Sequence, residues 1–204
     1  MVVILKRTTG EESMRPVVFL DRDGTLNEEI GYIHDVSMLN LISGAAESVV
    51  KLNTANVAAI LVSNQTGAAR GFYTEDHIKL LNDRLVKLLE SKGAKLDGIY
   101  YCPHLETGKV TEFSIKCRCR KPEPGLVEQA FQEHSDLDPK KAYVVGDKAS
   151  DVALADNCGA KGILVKTGYG QAVMDGRYQY KVEPAYTAHN ITDAVDWILK
   201  DLAK

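Results

Sequence analysis

Asp21 and Asp23 stand one residue apart in the run Phe19-Leu20-Asp21-Arg22-Asp23-Gly24-Thr25-Leu26-Asn27. They directly follow the apolar stretch Val17–Leu20, so both acids fall where a short buried strand ends. In an open parallel sheet the carboxyl ends of the strands form the ligand-binding side. A carboxylate attacks another anion only when a cation neutralises the pair, which predicts a bound Mg²⁺ beside these acids. Gly24 is expected to turn the backbone sharply and present N–H groups to the anion. On the Asp-x-Asp spacing alone, a strand ending in a solvated acidic turn is the competing reading.

Other residues with chemical capacity also end apolar stretches. Ser63 follows Val57–Val62, Asp147 follows Ala142–Val145, and Lys121 follows a cysteine cluster. Each alone also fits a helix cap or a surface position. The cluster is Cys102-Pro103-His104, twelve residues, then Cys117-Arg118-Cys119. Three thiolates and one imidazole suit a closed tetrahedral Zn²⁺ site with no open catalytic position. Disulfide pairing is the reading for an oxidising compartment; reduced core thiols beside an exposed histidine are the other alternative. Cys158 stands apart and is expected to be core.

Strands and helices must alternate to carry these residues. Beyond Val17–Leu20, strands are predicted at Val57–Val62, Ile99–Tyr101, Ala142–Val145 and Gly162–Val165. Helices are predicted over Ala45–Asn56, from Thr74 to Gly93, from Pro124-Gly125 to about His134, over Ser150–Asn157 and over Thr192–Leu202. Glu28–Leu41 has no period and reads as a loop. This alternation predicts an α/β class with a parallel central sheet flanked by helices. Residues 15–204 are expected to form a single domain carrying the Cys/His loop at about 102–119, with 1–14 a loose N-terminal leader.

The bulk composition is ordinary: 204 residues, 45% hydrophobic, 26% charged, net charge −3. That charge disfavours nucleic acid as a partner. No apolar run reaches the roughly 20 residues that span a bilayer, so no membrane partner is expected. A cytoplasmic monomer acting on a small molecule is the expectation.

The full Asp-x-Asp-Gly-Thr-Leu string resembles the signature of the haloacid dehalogenase (HAD) phosphotransferases. Ser63, Lys121 and Gly146-Asp147-x-x-x-Asp151 follow in the order of that superfamily's remaining motifs. The resemblance covers about residues 16–170 and implies a Rossmann-like HAD fold with no separate cap domain. It implies that Asp21 forms an aspartyl-phosphate, that Asp23 moves the protons, and that Ser63 and Lys121 hold phosphoryl oxygens. It also implies that Asp21, Asp23 and Asp147 ligate Mg²⁺, with Asp151 orienting that shell or capping a helix.

The Cys/His loop followed by Arg120-Lys121-Pro122 is similar to two sister families, the heptose bisphosphate phosphatases and the histidinol-phosphate phosphatases. This points to zinc at Cys102, His104, Cys117 and Cys119. Gly31-Tyr32-Ile33-His34 and Asn64-Gln65-Thr66-Gly67-Ala68-Ala69-Arg70-Gly71 resemble the heptose family more closely. The implied substrate contacts are Arg22, Glu29, Ile30, Gly31, Tyr32, Asn64, Gln65, Thr66, Arg120 and Lys148, with Arg120 clamping a second anionic group. The alternatives are a histidinol-phosphate phosphatase and a non-catalytic phosphosugar sensor or zinc-loop interaction module.

Overall fold

The computed structural model describes residues 14–178 and 180–204. Apart from Met14, the expected leader lies outside the described residues. Six strands form one parallel sheet: β1 (Arg15–Leu20), β2 (Ala58–Asn64), β3 (Gly98–Cys102), β4 (Leu137–Gly146), β5 (Lys161–Val165) and β6 (Tyr186–Ala188). Their spatial order is β3-β2-β1-β4-β5-β6. The chain winds to one side of β1 through β2 and β3, then crosses to β4 on the other. The order therefore reverses between β1 and β4, and the crevice outside such a reversal is where ligands bind in open α/β sheets.

Both faces of the sheet are covered, which is why β1 reads as a continuous apolar run rather than an alternating one. Val18 and Leu20 enter one core with α1 (Ala45–Thr54), α2 (Glu75–Glu90) and α6 (Ile191–Leu202). Val17 and Phe19 enter a second core with α3 (Gly125–Glu133) and α4 (Ala149–Cys158). On α2, Leu81, Leu85 and Leu89 recur at helical spacing and supply its buried stripe. Thr74 accepts the His77 N–H at its start, as a helix cap should. Cys158 packs half-buried against the second core.

Several sequence expectations are corrected. β2 runs through Ser63 and Asn64, so Ser63 lies inside the strand rather than past its end. β4 begins at Leu137, which is buried, and passes through the exposed Pro139, Lys140 and Lys141, which carry no apolar signal, before the predicted run. The short α5 (Gly170–Met174) and the three-residue β6 were not expected; both are too brief to show a period. The predicted loop after Glu28 contains a 3₁₀ turn at Val36–Met38. It is pinned where Glu28 N–H reaches Asn40 O and where the His77 ring bonds Ile33 O.

Candidate active site

Asp21, Asp147 and Asp151 converge at the carboxyl ends of β1 and β4, with carboxylate oxygens within 4.8 Å of one another. All three are buried. Lys121 Nζ lies 2.8 Å from Asp21 Oδ1 and 2.6 Å from Asp151 Oδ1, and donates to Val62 O at 2.9 Å. Burial would raise the Asp21 carboxyl, but Lys121 and then Lys148 outweigh it and hold it below the ordinary value. Burial would also strip the Lys121 proton, yet Asp151 and Asp21 keep the ammonium charged beyond its usual range. Asp21 is thus held as an anion beside a fixed cation.

Asp147 behaves differently. Burial pushes its carboxyl to about 7, opposed by Lys148 and reinforced by the charges of Asp21 and Asp151. Its Oδ2 accepts the Tyr169 N–H at 2.8 Å, which leaves Oδ1 facing the site. Gly24 and Gly168, both at positive φ, let two backbone segments crowd this carboxylate where any β-carbon would collide with it. Asp151 caps α4, its Oδ2 accepting the Lys148 N–H at the helix start, and it also pairs with Lys121. A buried carboxylate trio partly starved of counter-charge, with the Asp23 carbonyl nearby, fits a hard, oxygen-seeking cation. The Lys148 ammonium reaches the same atoms: Asp147 Oδ1 at 3.2 Å, Asp23 O at 3.4 Å and Asp21 Oδ2 at 3.9 Å. It also pairs with Glu29 at 3.1 Å and lies over the Tyr169 ring.

The Asp23 carboxylate is held from three sides. Arg22 donates from Nε and Nη2 at 3.2 and 3.1 Å, Asn27 at 2.9 Å and Gln65 Nε2 at 2.8 Å. The same Gln65 nitrogen reaches Ser63 Oγ at 2.8 Å, so one amide sets the positions of acid and hydroxyl together. Asn64 closes a two-point latch on Lys121, with Nδ2 donating to Lys121 O at 3.0 Å and Oδ1 accepting Lys121 N–H at 2.9 Å.

Asp21, Asp23, Ser63, Lys121 and Lys148 floor a cavity of about 370 Å³ whose walls include Glu29, Gly31, Tyr32, Thr66 and Arg120. Tyr32 and Thr66 hydroxyls stand 3.5 Å apart and join the two loops expected to contact substrate. Of the implied substrate contacts, Arg22 and Ile30 do not line the cavity. The Arg22 guanidinium is buried on Asp23 and Asn82, and Ile30 points to solvent. The amides of Asn64 and Gln65 are engaged within the protein. The Gly24 N–H is likewise spent, on Asn27 O at 2.8 Å, so it does not serve an anion as the sequence suggested. Sequence reasoning missed Arg70, Tyr73, Ser150, Tyr169, Tyr178 and Tyr180, which also line the cavity. Arg70 lay within a motif already singled out, and Gly168-Tyr169-Gly170 follows a strand end as the catalytic residues do.

Cys102, His104, Cys117 and Cys119 bring their donor atoms within 4.8 Å of one another, and all four cysteines of the chain are free thiols. Cys119 Sγ lies 3.1 Å from Cys102 and 3.2 Å from Cys117, with His104 Nδ1 at 3.3 Å. A hydrogen bond from Cys102 brings the Cys119 thiol down to about 5, favouring the thiolate that a soft metal takes. Convergence of three thiols and an imidazole fits a structural metal far better than unrelated core cysteines.

A family model described as HAD-hydrolase-like matches residues 118–194. A D-glycero-D-manno-heptose-1,7-bisphosphate 7-phosphatase from Thermosynechococcus vestitus is 47% identical over 193 residues, covering 93% of this chain and 98% of that protein. The chain belongs to the heptose-1,7-bisphosphate 7-phosphatase family. Within it, the D-glycero-beta-D-manno-heptose-1,7-bisphosphate 7-phosphatase of Escherichia coli K12 is 37% identical over 190 residues, covering 92% of this chain and 90% of that protein. Among solved structures, a heptose bisphosphate phosphatase from B. bronchiseptica, complexed with magnesium and phosphate, superimposes with a TM-score of 0.79. It covers 91% of this chain and 99% of its own at 24% identity, a likeness of fold. Members of this family are HAD phosphatases, so the chain is a phosphoric monoester hydrolase.

Proposed function

We propose that this single-domain enzyme removes the 7-phosphate of D-glycero-D-manno-heptose 1,7-bisphosphate through an aspartyl-phosphate on Asp21, in the making of nucleotide-activated heptose. The observation that carries the reading is the Asp21–Lys121 pair, 2.8 Å apart on the floor of a cavity whose wall presents Arg120. An Asp21 oxygen forms a bond to phosphorus as the bond from phosphorus to the sugar oxygen breaks. Asp23 gives that oxygen a proton. Asp23 then takes a proton from the water that attacks phosphorus and releases Asp21 and inorganic phosphate. Lys121 and Ser63 hold the phosphoryl oxygens where charge accumulates. Gln65 and Arg22 keep Asp23 aimed, and Asn64 keeps Lys121 in place.

Mg²⁺ held by Asp21, Asp147 and the Asp23 carbonyl would neutralise the anionic substrate beside an anionic nucleophile. Zn²⁺ at the Cys/His cluster would fix the backbone that leads directly into Arg120 and Lys121. Arg120, whose Nη1 donates to His104 O at 3.2 Å, is tied to that cluster. The free thiols support a reducing compartment, the cytoplasm. No helix among the described residues is long and apolar enough to cross a membrane.

Steady-state kinetics on both anomers of the bisphosphate and on histidinol phosphate, at one Mg²⁺ concentration, tests the substrate. A higher kcat/KM for histidinol phosphate would overturn the assignment. Asp21→Asn tests the chemistry: turnover should vanish while the melting profile stays cooperative. Activity within about tenfold of the parent, a barrier change of only ~1.4 kcal/mol, would refute covalent catalysis.

A further inference from the structure

We infer that Arg70 sets specificity for a second phosphate, acting with Arg120 as two arms of one clamp; the inference rests on the bisphosphate reading above. Arg70 lines the cavity that holds Asp21, on the turn that follows Ser63, and its side chain is exposed. The cations at the floor are neutralised, Lys121 by Asp21 and Asp151, Lys148 by Glu29 and Asp147. Among the described residues neither Arg70 nor Arg120 has a carboxylate partner, so the cavity carries two uncompensated guanidinium charges away from its floor. An uncharged sugar gives no reason for such charge. A dianionic group remote from the reacting phosphate does, and the planar guanidinium fork matches phosphate geometry in a way lysine does not.

The backbone beside Arg70 is fixed in a manner that ties it to Arg120. Arg70 N–H bonds Thr66 O at 3.0 Å, and Phe72 N–H bonds Gly67 O at 2.9 Å, closing the turn. Ala69 is buried, and its carbonyl accepts both Lys109 N–H at 2.7 Å and Val110 N–H at 3.0 Å from the Cys/His loop. The same loop holds Arg120 through His104 O. Both arms are therefore tied to the same Cys/His loop.

The test compares kcat/KM on the heptose 1,7-bisphosphate and on the corresponding 7-monophosphate. Arg70→Ala should lower the value for the bisphosphate by roughly 10–150-fold, the loss of one charge-assisted contact. The monophosphate value should stay near that of the parent. Arg70→Lys, which keeps the charge and loses the fork, should fall between. Arg70→Ala combined with Arg120→Ala should lose less on the bisphosphate than the product of the single losses, because both arms grip one anion. Equal losses on the two substrates, or no loss on the bisphosphate, would overturn the clamp while the parent's selectivity, and so the function reading, stands. A parent that handles both substrates alike would overturn the bisphosphate reading and the clamp with it.

Discussion

Replacing Asn64 by alanine separates two roles that a cavity-lining asparagine can have. Its carboxamide makes two hydrogen bonds to the Lys121 backbone, at 3.0 and 2.9 Å. Each such bond contributes about 0.5–1.5 kcal/mol net, so Asn64→Ala should cost about 1–3 kcal/mol of stability. For a domain of this size that lowers the melting temperature by roughly 2–12 °C. The Lys121 ammonium keeps Asp21, Asp151 and Val62 O as partners, so it remains in the site with its backbone loosened. A displacement of the order of 1 Å at a catalytic group costs up to about 100-fold, and kcat should fall by roughly ten- to 100-fold. KM should barely move, and a simple phosphate monoester should suffer as much as the bisphosphate. Calorimetric melting and steady-state kinetics on both substrates provide the readout. An unchanged melting temperature with a raised KM would show that the carboxamide touches substrate, and the latch argument would be wrong.

Cys117→Ala should release zinc measured by elemental analysis and open the 102–119 loop to limited proteolysis, since structural zinc supplies about 10–16 kcal/mol of apparent binding energy. Cys158→Ala should keep the full metal content; loss of zinc there would misplace the site. Lys148→Met removes an ammonium that reaches Asp147, Asp23 and Asp21, and should tighten Mg²⁺ binding in titration calorimetry by about tenfold, or ~1.4 kcal/mol. Weaker binding in that variant would mean that Lys148 supports the cation instead of competing with it.

Much of this arrangement is legible from residue order because the chemistry sits at strand ends, and buried parallel strands announce themselves as apolar runs. Val17–Leu20 and Ala142–Val145 point to Asp21 and Asp147 for that reason. Orientation is harder to read. Arg22 lies between Asp21 and Asp23 yet turns inward to Asp23 and Asn82, beside the tight turn through Gly24 and Asn27, a direction that no residue type declares. Asn64 and Gln65, implied as sugar contacts by the resemblance of their turn, do line the cavity, and they also position Lys121, Asp23 and Ser63, which residue order does not declare. Tyr169, Tyr178 and Tyr180 arrive from a segment whose helix is only five residues long, too short for a period to mark it.

The contact at Ala69 O has a consequence for how this protein can be altered. Both bonds it receives come from main-chain N–H groups, of Lys109 and Val110, and main-chain donors are indifferent to the side chains they carry. The segment between His104 and Cys117 is thereby docked without being spelled out, and its outward residues are free to drift. Only proline at 109 or 110 would cut the tether, because it alone removes a donor. A loop of altered sequence but equal reach could be grafted here and would still meet the turn at the same point, without disturbing the acids in the sheet.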